Sequence, residues 1–294
     1  MNELRNTVGM LYCGEMGASL AALLMARGVR VVTMLRDRSD DTARRCRAIG
    51  ATVLDSIGEV IAQSDIVISV VLPDAAEEIA EIYCALAHRA PANAIYVDLN
   101  SIGPELAAAL AGRIRSCGRA FVDGAVNGLA KNLAPGGTLF LSGPRCAEIA
   151  QLIGDAMRVR LLGDEYGRAS AMKMLLSGLS KGVCALFAET ALIADRRGML
   201  DEMIQAYALI YPGIMTLIER MFPTYAQHAA RRAAEMRELE ATARATGIEP
   251  CTLSGARELH EQLAAICVGC GASDLKSLIE FLVGEGFLEP SKVV

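Results

Sequence analysis

The sequence predicts an α/β Rossmann-type N-terminal domain with a parallel-rich sheet, followed by an all-α C-terminal domain. From Thr7 to about Leu162, short β-rich runs alternate with helical stretches, the pattern of a parallel sheet covered by helices on both faces. After Gly163 no convincing strand follows and the pattern is helical. The 294 residues are enough for two domains, which we place at 1–163 and 164–294.

Eight runs are candidate strands, and the central ones are apolar throughout, as expected for strands buried on both faces. In chain order they are "TVGMLY", "VRVVTML", "ATVL", "DIVISVV", "NAIYVDL", "RAFVD", "TLFLSG" and "RVRLL". Ala-rich segments such as "ASLAALLMARG" lie between most of them, with apolar residues at helical spacing. In the second half, "RASAMKMLLSGLSKGVCALFAETALIADRRG" predicts a long helix that ends before Gly198. Further helices are expected around 200–221, 223–246, 253–267 and 274–283.

The composition excludes several classes of protein. Hydrophobic residues make up 53% and the net charge is −5, so we expect neither disorder nor a nucleic-acid-binding surface, which needs a basic patch. No uninterrupted apolar stretch reaches the roughly 18 residues of a membrane helix, and no signal peptide precedes the first strand. We therefore expect no membrane partner and a cytoplasmic location. The nine Cys are scattered, which predicts reduced thiols and no metal site.

The stretch "VGMLYCGEMG" (8–17) runs from an apolar strand into a glycine loop that opens a helix. Gly14 lies where a backbone must approach a pyrophosphate, and Gly17 lies where helix and strand pack closely. Tyr12 replaces the glycine that eases the turn, and a non-glycine residue fits there if its φ is negative. A strand–helix turn without a ligand is the alternative. The residues that we expect to bind a dinucleotide here are Tyr12, Cys13, Gly14, Glu15 and Met16.

The end of the second strand indicates which dinucleotide is bound. A cofactor with a free ribose 2′-hydroxyl usually meets an acidic side chain at this position. Here Arg36 follows the strand, and a guanidinium suits a 2′-phosphate through charge-assisted hydrogen bonds. We therefore predict NADP, bound by Arg36. NAD is an alternative, because Asp37 follows directly and suits its ribose; a solvated run of charges is another.

Five segments, spread over nearly the whole chain, carry a family resemblance. They are "VGMLYCGEMG", "SDIVISVVLPD", "VDLNSIGPE", "VDGAVNGLAKNLAPGGTLFLSG" and "GRASAMKMLLSGLSKG". In order and spacing they resemble the β-hydroxyacid dehydrogenases, a family that includes 3-hydroxyisobutyrate and 6-phosphogluconate dehydrogenases. The second half looks most like a less characterised, phosphogluconate-dehydrogenase-like branch.

The resemblance implies an NAD(P)-dependent dehydrogenase or reductase and assigns roles to individual residues, with Lys173 as the catalytic lysine. The further residues implied to border the cofactor are Leu72, Pro73 and Ser101. The residues implied to bind substrate are Ser101, Asn127, Gly128 and Ser177. The chain departs from the family pattern in the glycine loop, in the substrate loop and after the lysine. The residues that differ are Tyr12, Gly124, Ala125, Asn127, Leu129 and Ser177.

The setting of Lys173 points to proton transfer independently of the resemblance. It lies in a helical run flanked by Ala, Met and Leu, in a chain with only five lysines. Loss of hydration lowers the pKa of such an ammonium, which can then transfer a proton near neutral pH. Ser177 lies one turn further on the same helical face, and Lys181 lies two turns further. The alternative for both lysines is an ammonium that reaches water along its apolar stem.

Other polar residues leave alternatives open. Ser101 could touch the nicotinamide or substrate, or cap the helix that begins near Pro104. His228, Arg231 and Arg232 form a basic cluster at helical spacing, either on an exposed face or as a contact for a substrate anion. His88 and His260 show no partner pattern and are expected at the surface.

These observations predict hydride transfer between the nicotinamide and a small, anionic hydroxy acid or the matching aldehyde or keto acid, with Lys173 carrying the hydroxyl proton. An imine-reducing enzyme and a non-catalytic NADP-binding regulator are the alternatives. The helical half is expected to form a homodimer, because segments such as "MIQAYALIYPGIMTLI" are apolar on more than one face.

Overall fold

The computed structural model describes residues 7–267, 270, 272 and 274–288. Within them all eight predicted strands form. The strands are β1 Thr7–Leu11, β2 Arg30–Met34, β3 Thr52–Leu54, β4 Ile66–Ser69, β5 Ile95–Asp98, β6 Ala120–Asn127, β7 Thr138–Ser142 and β8 Arg158–Leu161. They join one sheet in the order β3-β2-β1-β4-β5-β6-β7-β8. Neighbouring strands pair in parallel, except for the antiparallel pair β6 and β7, which confirms the parallel-rich sheet.

Helices cover both faces of this sheet. They are α1 Glu15–Ala26, α2 Asp40–Ile49, α3 Ile57–Ala62, α4 Ala76–Leu86, α5 Pro104–Ser116, α6 Leu133–Gly136 and α7 Cys146–Ile153. Because successive strand residues point to opposite faces, each strand contributes to two separate cores. In β4, Ile66 and Ile68 join one apolar cluster and Val67 joins the other. This double burial explains why the central strands contain no alternating polar positions.

The second half is helical, as predicted. Its helices are α8 Arg168–Arg196, α9 Leu200–Ile210, α10 Pro212–Met221, α11 Ala229–Ala245, α12 Cys251–Ile266 and α13 Leu275–Gly284. Pro212 occupies the first turn of α10, where its missing N–H costs no helical hydrogen bond. Phe187, Phe222 and Tyr225 pack edge-on or stacked at the centre of the helical core.

The chain divides into two compact units, Met1–Lys173 and Met174–Val294. The division falls inside α8, whereas the sequence pattern placed the domain boundary at 163, before that helix. The first turn of α8 belongs to the first unit because Asp123 of β6 accepts hydrogen bonds from it.

Helix α8 differs from the expectation that no segment is long and apolar enough to span a membrane. By length and average composition it could cross a membrane, and it is the one such helix in the described residues. Of its most apolar window, 44% is buried within the protein. The core helices of soluble proteins meet the same criterion, so this is weak evidence of a membrane span.

Candidate functional site

The strand order places a candidate ligand crevice at the carboxyl ends of β1 and β4. Chain order runs from β1 outward to β2 and β3, then returns to the other side of β1 with β4. In open parallel sheets, ligands bind outside the carboxyl ends of the strands, at such a reversal. The glycine loop, the segment after β2, and the loops after β4 and β5 all follow strand ends on this edge.

The glycine loop has the shape that a phosphate requires. Gly14 is the N-cap of α1, with φ −61° and ψ −168°, and no side chain caps the helix. A Cβ built on Gly14 meets nothing within 4 Å, so the backbone is open to a ligand. A Cβ on Gly17 would instead overlap the carbonyl oxygen of Tyr12. The uncapped N–H groups and the helix dipole suit a pyrophosphate, so these residues fit a dinucleotide.

Tyr12 fits the turn that usually needs a glycine. Its φ is not positive, which is the condition for a non-glycine residue at this position. Its side chain is buried against the apolar cluster that includes Leu11 and Val32. The Arg38 guanidinium lies 4.3 Å above the centre of the ring. Burial raises the pKa of Tyr12, and the positive charge of Arg38 partly opposes that rise.

Two guanidinium groups follow β2, and only one was singled out from the sequence. Arg36 is exposed and makes no ion pair within the part of the chain that the structure describes. Asp37 has φ 60°, so the backbone turns sharply between the two arginines. Arg38 is directed back over Tyr12 and the glycine loop. Sequence reasoning missed Arg38, although Tyr12 in the preceding loop offers an aromatic face to a cation.

Asn100 joins the loops that follow β4 and β5. Its Oδ1 accepts a 2.6 Å hydrogen bond from the Val71 backbone, and its Nδ2 donates to Ser69 at 3.0 Å and to Asp98 at 2.8 Å. The loop that carries Leu72 and Pro73 is thereby fixed to the loop that carries Ser101. Leu72 itself is 73% exposed, an unusual place for a leucine that serves only a core.

Ser101 does not cap α5. That helix begins at Pro104, with Gly103 as its N-cap and no side-chain capping bond. The capping alternative is therefore wrong, because the backbone already provides the start of the helix. Ser101 is half-buried next to Asn100, at the carboxyl edge of the sheet.

The predicted substrate loop is shorter than its sequence suggests. Strand β6 continues to Asn127, and Gly124 to Val126 pair with β7 along an antiparallel ladder. Asn127 and Gly128 remain at the exposed end of the strand. Gly128 has φ 153°, and a Cβ there would lie 2.9 Å from the Cα of Gly137. Only this end of the segment therefore offers groups to a ligand.

A buried carboxylate fixes the start of the helix that carries Lys173. Asp123 Oδ2 accepts from the backbone N–H groups of Ala169 and Ser170 at 2.9 and 3.2 Å and from the Ser142 hydroxyl at 2.9 Å. Its Oδ1 accepts from the Ser170 hydroxyl at 2.7 Å. These bonds satisfy donors that a helix start leaves without partners. Lys173 follows Ser170 by about one turn and is half-buried.

A second buried carboxylate, Asp98, pairs in register with Asp123 on the neighbouring strand. Its two oxygens accept from the backbone and the amide of Asn100, at 2.9 and 2.8 Å. Burial raises the pKa of Asp98 to about 7, against the Asn100 hydrogen bonds; Asp123 adds to the rise and the Lys173 ammonium opposes it. Sequence reasoning did not single out Asp98, Asn100 or Asp123, because each reads as the end of an apolar strand.

Ser177 and Lys181 take part in a polar cluster inside the second unit. Lys181 is buried; its ammonium pairs with Glu235 and donates to the Ser177 hydroxyl, which donates to Glu235 at 3.1 Å. Burial lowers the pKa of Lys181, although Glu235 raises it. Arg231 pairs with the other oxygen of Glu235. Lys181 does not reach water along its stem, and the Ser177 hydroxyl is already engaged.

The structure contradicts the exposed-face alternative for Arg232 and the expected surface position of His260. Arg232 is only 4% exposed, and its guanidinium lies 4.7 Å from the ring centre of Tyr225. His260 is fully buried and its Nδ1 lies 2.6 Å from the Ala256 carbonyl oxygen, so it is not a surface residue. Burial lowers the pKa of His260 to about 4. Both sit on helical faces whose burial depends on distant helices, which local spacing does not reveal. His88 is exposed, as expected.

No group of three or more candidate metal ligands occurs in the residues that the structure describes. The glycine loop, its uncapped helix and the crevice at the sheet reversal define a dinucleotide-binding protein of the Rossmann class.

Comparison with known proteins identifies the family. A family model described as the NAD-binding domain of 6-phosphogluconate dehydrogenase matches residues 7–152, and a domain of unknown function matches 194–263. The conserved protein MTH1747, of unknown function and structurally similar to 3-hydroxyacid dehydrogenases, is 30% identical, with a TM-score of 0.70, over 90% of this chain and 100% of that chain. The chain belongs to the β-hydroxyacid dehydrogenase family of NAD(P)-dependent oxidoreductases, which act on CH–OH groups.

Two further relatives cover most of the chain. A conserved hypothetical protein from Sinorhizobium meliloti 1021 is 26% identical, with a TM-score of 0.74, over 96% of this chain and 97% of that chain. The chloroplastic glyoxylate/succinic semialdehyde reductase 2 of Arabidopsis thaliana is 23% identical over 94% of this chain and 79% of that protein.

Proposed function

We propose that this protein is an NADP-dependent oxidoreductase that transfers hydride between the nicotinamide and a small hydroxy acid or the matching aldehyde or keto acid. The observation that carries the proposal is the position of Lys173. It lies about one turn beyond a helix start that Asp123 holds to the sheet. Its positive charge opposes the rise in the pKa of the buried Asp98 carboxyl. A lysine fixed beside the carboxyl edge of a dinucleotide-binding sheet is suited to proton transfer.

The chain's own residues would act as follows. When bound, the cofactor supplies the hydride chemistry. The N-terminus of α1 would hold its pyrophosphate, and the loops joined by Asn100 would border the nicotinamide. During reduction, Nζ of Lys173 would donate a proton to the carbonyl oxygen as hydride reaches the carbon. During oxidation, the same nitrogen would accept the hydroxyl proton.

The charge after β2 supports NADP. Arg36 is exposed, and Arg38 lies over Tyr12 beside the glycine loop. Guanidinium groups bind a 2′-phosphate strongly, because each can donate two charge-assisted hydrogen bonds. Asp37 keeps NAD as the alternative cofactor.

Small aldehyde acids are the first substrates to test. The Arabidopsis thaliana relative is named for the reduction of two such compounds, glyoxylate and succinic semialdehyde. Asn127 and Gly128, at the exposed end of β6, and Ser101 offer hydrogen-bonding groups for an anionic substrate. The Ser177 hydroxyl belongs to the second unit and already donates to Glu235 there.

The test is NADPH oxidation with a panel of small aldehyde acids, 2-keto acids and cyclic imines, using wild type, Lys173→Met and Lys276→Met. Lys276 is a matched control, because it forms an exposed ion pair with Asp201. A positioned acid or base contributes roughly 10²–10⁴-fold, so Lys173→Met should lose at least about a hundredfold in kcat while still binding NADPH.

Each outcome of this panel bears on one of the candidate functions or on the role of Lys173. Turnover of imines alone would favour an imine reductase. Tight NADPH binding without turnover of any compound would favour a non-catalytic regulator. Lys173→Met retaining more than about a tenth of wild-type turnover would remove this lysine from the mechanism.

The helical unit carries a surface suited to a second copy of the chain. Leu175, Leu179, Leu186 and Ile193 lie at helical spacing on α8, and each is more than half exposed. Such a continuous apolar stripe is costly in water and favours a homodimer. Sedimentation should show a dimer for wild type and a monomer for Leu179→Glu; a monomeric wild type at micromolar concentration would contradict this.

A reducing compartment such as the cytoplasm fits the free thiols.

A further inference from the structure

Strands β4 and β5 stop pairing at the carboxyl edge of the sheet, and one side chain joins the segments that follow them. Their register ends at the pair Ser69 and Asp98. A backbone hydrogen bond of 2.9 Å still joins the Leu99 N–H to the Ser69 carbonyl oxygen. Two residues after Ser69, the Val71 N–H donates at 2.6 Å to the side-chain oxygen of Asn100. A side chain therefore takes the place of a ladder bond at the edge where the crevice opens.

The amide group of Asn100 is held in one orientation by its other bonds. Its Nδ2 donates to Asp98 Oδ2 at 2.8 Å and to Ser69 Oγ at 3.0 Å. Its backbone N–H donates to Asp98 Oδ1 at 2.9 Å. A carboxylate accepts hydrogen bonds, so the NH₂ half of the amide faces Asp98 and the oxygen is left for Val71. Asn100 is 2% exposed, and a buried amide is stable only when its polar groups are paired in this way.

The segment after β4 is held on both sides through two consecutive N–H groups. On one side, the Val70 N–H donates at 2.7 Å to the carbonyl oxygen of Leu11, which directly precedes the glycine loop. On the other side, the Val71 N–H donates to Asn100. The first bond joins backbone to backbone and does not depend on a side chain, whereas the second is lost when Asn100 is replaced. The position of this segment relative to the end of β5 therefore depends on Asn100.

We propose that Asn100 is a positioning residue that holds the loop after β4 at a fixed distance from Ser101, so that the two together orient the nicotinamide end of the cofactor. This rests on the proposed function, in which the loop carrying Leu72 and Pro73 borders the nicotinamide together with Ser101. Leu72 directly follows Val71 and is 73% exposed, so it is available to a ligand. Asn100 is buried and acts through these two segments. Hydride transfer is sensitive to such positioning, since a displacement of about 1 Å can cost about a hundredfold in rate.

The experiment compares each cofactor with the same molecule lacking its nicotinamide. NADPH is matched with 2′-phospho-ADP-ribose and NADH with ADP-ribose, and calorimetry gives the Kd of all four. The test variant is Asn100→Ala. Ser69→Ala is the matched variant in the same buried cluster, because it removes one bond from Asn100 but keeps the bond to Val71. Asn93→Ala is the surface control, because Asn93 is exposed.

Asn100→Ala should weaken binding of the preferred cofactor by about threefold to tenfold, the range for the net contribution of one hydrogen bond. The Kd of the matching compound without nicotinamide should change by less than about twofold, and this unchanged binding also shows that the variant is folded. The emission of bound NADPH, which arises from the nicotinamide, should shift toward that of free NADPH. Ser69→Ala and Asn93→Ala should bind the preferred cofactor as the wild type does.

An equal loss for the cofactor and its nicotinamide-free match overturns the proposal, and so does an unchanged Kd and emission in folded Asn100→Ala. The same selective loss in Ser69→Ala also overturns it, because the effect would then belong to the buried cluster and not to the Val71 bond.

Hydrogen exchange of the wild type provides a test that needs no variant. The Val71 amide should be protected by its bond to Asn100, and an amide that exchanges as fast as that of an unstructured peptide overturns the proposal. The readouts separate this inference from the proposed function. A protein that shows the selective loss in Asn100→Ala but turns over no substrate keeps the positioning role and loses the dehydrogenase assignment.

Discussion

Changing either of two glycines in the same loop to alanine should impair the protein in different ways. Gly17→Ala should lower stability, and Gly14→Ala should weaken cofactor binding. In Gly17→Ala the new methyl group would overlap the Tyr12 carbonyl oxygen and lie 3.2 Å from the carbonyl carbon. The atoms it meets are backbone, and Tyr12 is anchored in the core, so α1 must move away from the loop. In Gly14→Ala the methyl group would enter space where nothing lies within 4 Å.

The expected magnitudes follow from those surroundings. Overpacking of a core costs about 1–3 kcal/mol, and we expect Gly17→Ala near the upper end because backbone cannot rotate away. Gly14 has φ −61°, which alanine adopts without strain, so Gly14→Ala should change the free energy of unfolding by less than about 1 kcal/mol. Its methyl group would instead occupy the approach of the pyrophosphate and weaken NADPH binding by at least about tenfold, or about 1.4 kcal/mol.

Urea unfolding and NADPH fluorescence titration measure the two effects separately. Gly14→Ala should be stable and bind poorly, while Gly17→Ala should be destabilised. Wild-type affinity in Gly14→Ala would show that the open space above the loop is not where a phosphate binds. Wild-type stability in Gly17→Ala would refute the steric argument.

Three other perturbations test separate parts of the structure. Folding raises the pKa of Asp98 from 3.8 to about 7, so the native state binds more protons between these values and stability should fall as pH rises from about 4 to 7. The loss is about 4 kcal/mol at most, from about 1.4 kcal/mol per pKa unit, and urea unfolding of Asp98→Asn should show a flatter pH dependence. Glu235→Gln removes the partner of the buried Lys181 and should cost about 3–5 kcal/mol in the same assay; a loss below about 1 kcal/mol would contradict a buried ion pair. Arg38→Ala and Arg36→Ala should each weaken NADPH binding by about 1.5–3 kcal/mol and leave NADH binding nearly unchanged in fluorescence titrations. Equal losses for both cofactors would remove that arginine from the 2′-phosphate site.

The sheet and the glycine loop could be predicted because their signals are local. An apolar strand, Gly14 and Gly17 lie within ten residues, and the alternation of strand and helix repeats along the first half. The length of β6 was underestimated, because the residues after Asp123 resemble a loop until β7 pairs with them.

The hydrogen bonds of the buried carboxylates Asp98 and Asp123 could not be predicted from local patterns. Ser170 and Asp123 are 47 residues apart, and their hydrogen bond depends on where α8 begins relative to the sheet. Asn100 links the loop that contains Val71, 29 residues away, to the Asp98 carboxylate. His260 was misassigned for the same reason, since its burial depends on packing against Tyr225 from the connection between α10 and α11.

The tyrosine in the glycine loop has a consequence for how such proteins are found. A search that demands three glycines would pass over this chain, although its loop meets the steric requirements of the fold. The two indispensable positions are Gly17, where no methyl group fits, and Gly14, where the backbone must stay uncovered. At the first position, any side chain that tolerates the turn is acceptable. In this chain the aromatic ring of Tyr12 uses that freedom to contact the Arg38 guanidinium, so the first position of the loop and the charge after the second strand act together.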